Sequence, residues 1–313
     1  MRLATWNVNS VRTRVERVTA FLEREDIDVL AMQEIKCRPD QFPYQALEAA
    51  GYEVAVHGLD QWNGVAVASR VGLSDVATSF PGQPGWVRQE GQEPVVEARA
   101  LGVTVGGQAA VGGGLAENSD MQTPASSGQE DSAALPAGDT TGSPGDGPGT
   151  TTRTAPLRLW SLYVPNGREL DHPHYRYKLD WLAALRQAAV GWLEADPGLA
   201  LALVGDWNVA PRDEDVWDVT AFDGATHVSA PEREAFAAFE SVGLSEVTRE
   251  RVTNYTYWDY QKLRFPRNEG MRIDFVYASP ALASRVGGAA IDRDERKGKG
   301  ASDHVPVIVD LEG

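Results

Sequence analysis

One cysteine, Cys37, is all the thiol chemistry this 313-residue chain offers. No intrachain disulfide can form, which fits a reducing compartment. The chain opens Met1-Arg2-Leu3-Ala4-Thr5-Trp6-Asn7 and runs straight into a strand-like stretch. It has neither the apolar core nor the cleavage site of a signal peptide. No apolar run reaches bilayer length, so the expectation is a soluble cytoplasmic protein with no membrane contact. Basic residues are scarce: 29 Lys and Arg face 45 Asp and Glu, for a formal net charge of −16. That excludes a generic nucleic-acid coat, which binds by neutralising phosphates, but not a local basic patch. No Cys-His cluster suggests zinc.

What is present begins with the run Leu201-Ala202-Leu203-Val204-Gly205-Asp206-Trp207-Asn208. Its apolar start reads as a buried strand. Side chains two apart on a strand share a face, so Asp206 and Asn208 are expected at one site, with Trp207 turned away. A carboxylate at the edge of a core is costly unless paired, so the stretch is either a strand end closed by a turn-forming Asp and Asn or a site of chemistry. Strands are also expected over 2–6, 27–32, 52–56, 63–69, 94–101, 157–164 and 272–278, with a closing strand after His304. Helices are expected over 10–25, capped by Ser10, over 42–50, closed by Gly51, and over 232–242. A long helix over 170–195 would turn Leu179, Leu182, Leu185, Ala189 and Trp192 inward.

Residues 103–155 break this pattern. They are rich in Gly, Ser, Thr, Ala and Pro, nearly free of large apolar side chains, and acidic, with Arg153 the lone base. Such a stretch cannot offset its ordering entropy by burial. It reads as a disordered insertion in a single 1–313 domain, placed between the two strands of a hairpin.

Polar residues gather where the apolar strands end: Asn7, Asn9, Glu34, Tyr163, Asn166, Asp206, Asn208, Asp274, Asp303 and His304. Carboxylate and amide oxygens are hard ligands suited to Mg²⁺ or Mn²⁺. An acid beside a histidine can hold the imidazole charged and oriented. The set suits metal-assisted attack of water on a phosphodiester.

The segments Thr5-Trp6-Asn7-Val8-Asn9, Met32-Gln33-Glu34-Ile35-Lys36, Tyr163-Val164-Pro165-Asn166-Gly167, Gly205-Asp206-Trp207-Asn208-Val209-Ala210-Pro211, Tyr257-Trp258-Asp259-Tyr260, Arg272-Ile273-Asp274 and Ser302-Asp303-His304 together resemble the endonuclease/exonuclease/phosphatase superfamily. Within it they are most similar to the exonuclease III branch of abasic-site endonucleases. They cover nearly the whole chain outside 103–155, in family order. The resemblance implies an α/β fold, a four-layer α/β/β/α sandwich of two mixed sheets flanked by helices. It implies metal binding by Asn7, Glu34 and Asp303, with Asp206, Asn208 and His304 close to the ion. Asp206 would activate the attacking water, and Asn208 would hold water or phosphate. His304, supported by Asp274, would stabilise phosphate charge, and Tyr163 and Asn166 would contact the phosphate or the leaving oxygen. Asn9, Tyr257, Trp258, Met271 and Arg272 would help bind substrate.

The implied substrate is duplex DNA with abasic sites or 3′ ends, cut by a monomer. Lys262, Arg264, Arg267 and Arg272, with Arg293, Arg296, Lys297 and Lys299, are candidates to track its phosphates. Alternatives are a phosphatase or phosphodiesterase acting on lipid or inositol phosphates, and a catalytically silent nucleic-acid-binding relative.

Overall fold

The computed structural model describes residues 1–89, 91–107 and 155–313. In chain order the elements are β1 (Arg2–Asn7), α1 (Val15–Arg24), β2 (Val29–Gln33), α2 (Tyr44–Ala49), β3 (Glu53–His57), β4 (Val65–Ser69), β5 (Leu73–Ala77), β6 (Ala100–Val105), β7 (Leu157–Tyr163), α3 (Pro173–Ala195), β8 (Leu201–Asp206), α4 (Ala230–Ala237), β9 (Ser245–Glu246), β10 (Asp274–Ala278), α5 (Pro280–Ala283), β11 (Val286–Ile291) and β12 (Val307–Leu311). The strands form two six-stranded sheets, ordered β11-β12-β1-β2-β4-β3 and β5-β6-β7-β8-β10-β9. Each is mixed: β1–β2 and β7–β8 run parallel, and the other pairs run antiparallel.

Strand alternation builds the layers. Leu3, Val29, Ala31, Val65 and Val67 of the first sheet meet Leu101, Val103, Leu159, Ala202 and Val204 of the second in one buried cluster between the sheets. The intervening residues face outward. Ala4, Trp6, Leu30 and Met32 pack with Phe21 and Leu22 of α1. Trp160, Leu162, Leu201 and Leu203 pack with Trp181 and Leu185 of α3 and Phe236 of α4. Strands buried on both faces need continuous apolar runs, which is why those runs are so plain in the sequence. The result is the expected four-layer sandwich.

The same alternation fixes the site. On β1 the inward row is Leu3, Thr5, Asn7; on β7 it ends in Ser161 and Tyr163; on β8 it is Ala202, Val204, Asp206; on β10 it starts at Asp274. Register then lines up the ends. Tyr163 pairs with Asp206 across β7–β8, and Asp206 with Asp274 across β8–β10. A polar floor separates this end from the apolar core: Gln33 Nε2 donates to Thr5 Oγ1 and Ser161 Oγ, both at 3.0 Å. Gly205 makes the close packing possible. Its φ is 145°, and a Cβ there would lie 1.9 Å from the Leu162 carbonyl oxygen, so no side chain is tolerated.

Several local expectations are corrected. Residues 103–105 belong to β6, where Val103 and Val105 are fully buried, and the hairpin to β7 closes with Val105 opposite Leu157. Of the rest of the expected insertion, Gly106, Gly107 and Ala155 are described and 108–154 lie outside the described residues. Ser10 does not cap a helix with its side chain. Its φ is 86°, and its backbone N–H donates to Glu34 O. Leu179 is only half-buried; the inward face of α3 carries His174, Tyr177, Lys178, Trp181, Leu182, Leu185, Ala188 and Ala189. β5 and β11 were not anticipated.

Candidate active site

Asn7 organises the first sheet's contribution. Its Nδ2 donates to Glu34 Oε1 at 2.8 Å and to Asp206 Oδ2 at 3.0 Å, so one amide draws together carboxylates from both sheets. Its Oδ1 accepts from the Asn9 N–H at 3.1 Å. Asn9 in turn donates from Nδ2 to Asp303 Oδ1 at 2.9 Å. Lys36 Nζ lies 2.7 Å from Glu34 Oε2. Ser302 ties the final loop to β1 by donating to Asn7 O at 2.7 Å, and the Trp6 indole donates to His304 O at 3.1 Å.

His304 sits between two acids. Its Nδ1 is 2.9 Å from Asp274 Oδ2 and its Nε2 is 3.7 Å from Asp206 Oδ2. Burial alone would strip its proton, but Asp274 and then Asp206 outweigh it and raise its pKa, so the imidazole is held charged. Burial pushes the Asp206 carboxyl up, the negative Asp274 and Glu34 add to that, and His304 opposes it. Glu34 goes the other way. Burial would raise it, yet Lys36, then the Asn7 hydrogen bond, hold it below the usual range. Burial pushes the Tyr163 phenol well up, helped by Glu34, while Arg99 opposes from 4.8 Å over the ring. Tyr163 is therefore a protonated donor.

A second group of side chains surrounds Asn208. Its backbone N–H donates to Asp206 Oδ1 at 2.9 Å, and its Nδ2 donates to Val164 O at 2.9 Å. That leaves Oδ1 facing Asn166 Nδ2 at 3.3 Å and His227 Nε2 at 3.1 Å. Asn208 thus links Asp206, through its backbone, to Asn166, through its side chain. Beneath it, fully buried Lys178 donates to Asn208 O at 2.5 Å, to Asn166 O at 3.2 Å and to Glu232. Burial, then the Lys178 charge, lowers His227 to about 3, so it is neutral. Asn9, Glu34, Lys36, Asn208 and His227 all have φ between 43° and 76°. Non-glycine residues in this region carry strain and collect at functional sites.

Glu34, Asp206 and His304 bring side-chain atoms within 4.8 Å of one another; with the imidazole charged, the Glu34 and Asp206 carboxylates are the pair able to hold a metal ion. Asp274 Oδ1 is buried with no partner. Around the group, four carboxylates (Glu34, Asp206, Asp274 and Asp303) face Lys36 and charged His304. The acids outnumber the bases, and a divalent cation would relieve that surplus. The oxygen-rich donors fit a hard ion.

Other expected residues fall in two groups. Tyr257 packs against His304 with ring centroids 4.9 Å apart. With Met271 and Ile273 it forms an apolar wall beside the imidazole. Trp258 is only 1% exposed, and its backbone N–H donates to Asp303 O at 2.9 Å. Arg272 is also 1% exposed. Its guanidinium donates to Val252 O at 2.7 Å and Thr248 Oγ1 at 2.6 Å, so it is a core cation and not a phosphate contact. Arg264 and Arg267 both pair with Glu269, and Lys297 pairs with Asp294. Arg293 and Arg296 stack over Phe265. Sequence reasoning missed Lys178, His227, Glu232 and Arg99. Lys178 alone left a signal: it lies four residues from His174 and Leu182, on the inward stripe of α3.

Comparison with known proteins agrees with this geometry. Residues 4–304 match the model of the Endonuclease/Exonuclease/phosphatase family. Exodeoxyribonuclease III of Haemophilus influenzae is 25% identical over 321 residues, covering 98% of both chains. An exodeoxyribonuclease of Bacillus subtilis is 26% identical over 314 residues, again covering 98% of both. Among solved structures, a 3′-5′ exonuclease from Neisseria meningitidis superposes over 100% of both chains with a TM-score of 0.77 and 28% identity. An AP endonuclease from Archaeoglobus fulgidus does so with a TM-score of 0.76 and 25% identity.

Proposed function

The chain belongs to the endonuclease/exonuclease/phosphatase family, and from that membership we propose that it is an exonuclease III-like DNA repair nuclease. It hydrolyses phosphodiesters on the 5′ side of abasic sites in duplex DNA and trims 3′ ends, acting as a monomer in the cytoplasm. The observation that carries this reading is the line Tyr163–Asp206–Asp274 set by strand register, with His304 between the two acids and Glu34 facing them. Relatives named as exodeoxyribonucleases, matched along their whole length, support DNA as the substrate over lipid or inositol phosphates.

The chain's own groups divide the work. Asp206 is placed to take a proton from the attacking water, general-base assistance that typically contributes about 10²–10⁴-fold. Charged His304, oriented by Asp274, donates from Nε2 to a phosphate oxygen as negative charge builds there. Preorganised donors of this kind are usually the largest catalytic contribution. The protonated Tyr163 phenol donates to the phosphate or to the leaving oxygen. Asn208 and Asn166, braced by His227 and Lys178, form the opposite polar wall. Tyr257, Met271 and Ile273 offer an apolar surface for a sugar that has lost its base. Glu34 and Asp206, with Asn7 and Asp303 beside them, would hold Mg²⁺ or Mn²⁺. The ion would supply Lewis-acid stabilisation of phosphate charge.

The test is incubation with a duplex containing one abasic site and with a blunt duplex, each with Mg²⁺, with Mn²⁺ and with excess chelator. The reading expects a cut on the 5′ side of the abasic residue, shortening of 3′ ends, and no product in chelator. No cleavage of either duplex, together with release of phosphate from inositol phosphates, would replace it with the phosphatase alternative.

A further inference from the structure

We propose that a second cleft at the catalytic end takes an unpaired nucleotide adjoining the scissile phosphate, stacking its base on Trp62 and Trp86. The proposal rests on the nuclease reading and deepens it. The cleft is a cavity of about 370 Å³ whose walls include Trp62, Trp86, Arg88, Glu97, Arg99 and Arg168. Binding sites of this order hold small ligands, and one nucleotide fits.

Its position follows from register. Val65 at the start of β4 pairs with Gln33 at the end of β2, so the loop before β4 sits beside Glu34. Lys36 and Ile35 donate their backbone N–H groups to Asn63 O and Gly64 O at 3.0 and 3.1 Å. On the other sheet, Ala100 pairs with Leu162, which brings Arg99 next to Tyr163. Arg99 is the shared wall: its guanidinium lies 4.8 Å over the Tyr163 ring on one side and lines the cleft on the other. The two sites share Arg99 as a wall, close enough for one strand to reach both.

The chemistry is that of a stacking platform. Trp62 is 61% exposed, so its indole face is open to a base entering the cleft. It is not a loose loop residue. Its backbone N–H donates to Asp60 Oδ1 at 2.7 Å, and Asn63 after it is fixed at φ 59°. Trp86 is held by paired backbone hydrogen bonds with Val95, at 2.8 and 3.0 Å. Its ring packs against His174 at 4.8 Å and Tyr177 at 5.3 Å. Rigid aromatic faces accept any base without reading its edge.

Charge at the cleft is uneven. Arg88 is matched by Asp60 and Glu97, and Arg99 by Glu97. Arg168 has no carboxylate partner among the described residues; its Nη1 meets only His172 Nε2, at 3.2 Å. It is exposed, two residues from Asn166, and its N–H donates to Asn166 Oδ1 at 3.1 Å. A free cation here meets the phosphate that joins a base in the cleft to the phosphate at Tyr163. A paired base must first leave the duplex stack, so an unpaired one enters at lower cost.

The experiment uses the full chain with Ca²⁺ in place of Mg²⁺ and abasic duplexes carrying 2-aminopurine next to the abasic site, on its 5′ side in one set and its 3′ side in the other. In each set the probe is unpaired or paired with thymine. Wild-type protein is expected to bind the unpaired form of one set about tenfold more tightly, a stacking-sized effect, and to quench its fluorescence. Trp62→Ala should bring that ratio to about one, while Trp62→Phe keeps most of it. Equal affinity for paired and unpaired probes in both sets, or a preference unmoved in Trp62→Ala, overturns the cleft and leaves the nuclease reading standing. Wild type that neither binds abasic duplex here nor cuts it with Mg²⁺ overturns both.

Discussion

Asp206 and Asp274 stand directly opposite each other across β8 and β10, two like charges in a position where like charges destabilise a sheet. His304 resolves the conflict by reaching both, at 3.7 and 2.9 Å. The acids charge the imidazole, and the imidazole keeps the acids compatible.

Asp274→Asn should keep the hydrogen bond to Nδ1 and lose the charge. His304 is raised chiefly by Asp274 against its burial, so the variant's imidazole loses its proton at lower pH. The alkaline limb of the kcat profile should move to lower pH, and kcat at neutral pH should fall about a hundredfold. Single-turnover cleavage across pH checks this. An unmoved alkaline limb would show that the His304 charge is not used.

Lys178→Met tests the buried support under Asn166 and Asn208. Removing one partner of a buried ion pair typically costs about 3–5 kcal/mol, because Glu232 is left unpaired at 0% side-chain exposure. The double variant Lys178→Met, Glu232→Leu should recover most of that loss in urea unfolding, yet remain slow in cleavage because both backbone carbonyls lose their donor. Full activity in the double variant would make the pair purely structural.

Acid should destabilise the fold early. Burial, then the nearby cations Arg99 and Arg168, lowers His174 to about 4, and burial with Lys178 lowers His227 to about 3, against 6.5 in the ordinary state. Below pH 6.5 the unfolded chain binds protons that the folded one refuses, so stability falls as pH falls. Each histidine adds up to about 1.4 kcal/mol per pH unit. His227→Gln should flatten the urea-derived stability profile around pH 5 by that amount. An unchanged slope would mean that His227 is protonated in the fold.

Replacing residues 108–154 with a short turn should leave folding and cleavage intact. Val105 and Leu157 are paired across the hairpin, so the cut ends already lie side by side, and shortening a loop changes closure entropy only slowly. Insoluble or inactive protein from the shortened chain would assign the segment a structural part.

The sandwich was legible because its strands are buried on both faces and read as unbroken apolar runs. Asp206, Asp274 and Tyr163 were legible for the same reason, as polar residues bounding such runs. Two-residue alternation does not account for how Asn208 is held beside Asp206. That residue leaves the strand at φ 50° and is held by a backbone bond to Asp206, which spacing alone does not reveal. Arg272 looked like a phosphate ligand because it lies in sequence near Lys262, Arg264 and Arg267. Its real partners, Thr248 and Val252, are 24 and 20 residues away, with no local trace. β5 left no pattern because its three central residues are exposed.

The most direct measurement is single-turnover cleavage of an abasic duplex by Asp206→Asn, with binding of the same duplex followed in Ca²⁺. The substitution keeps shape and removes the carboxylate placed to accept the water's proton. Cleavage should fall by about 10²–10⁴-fold, while binding persists or tightens as a charge facing phosphate disappears. A variant that cuts within a few-fold of wild type would contradict the catalytic role given to Asp206 and the assignment built on it.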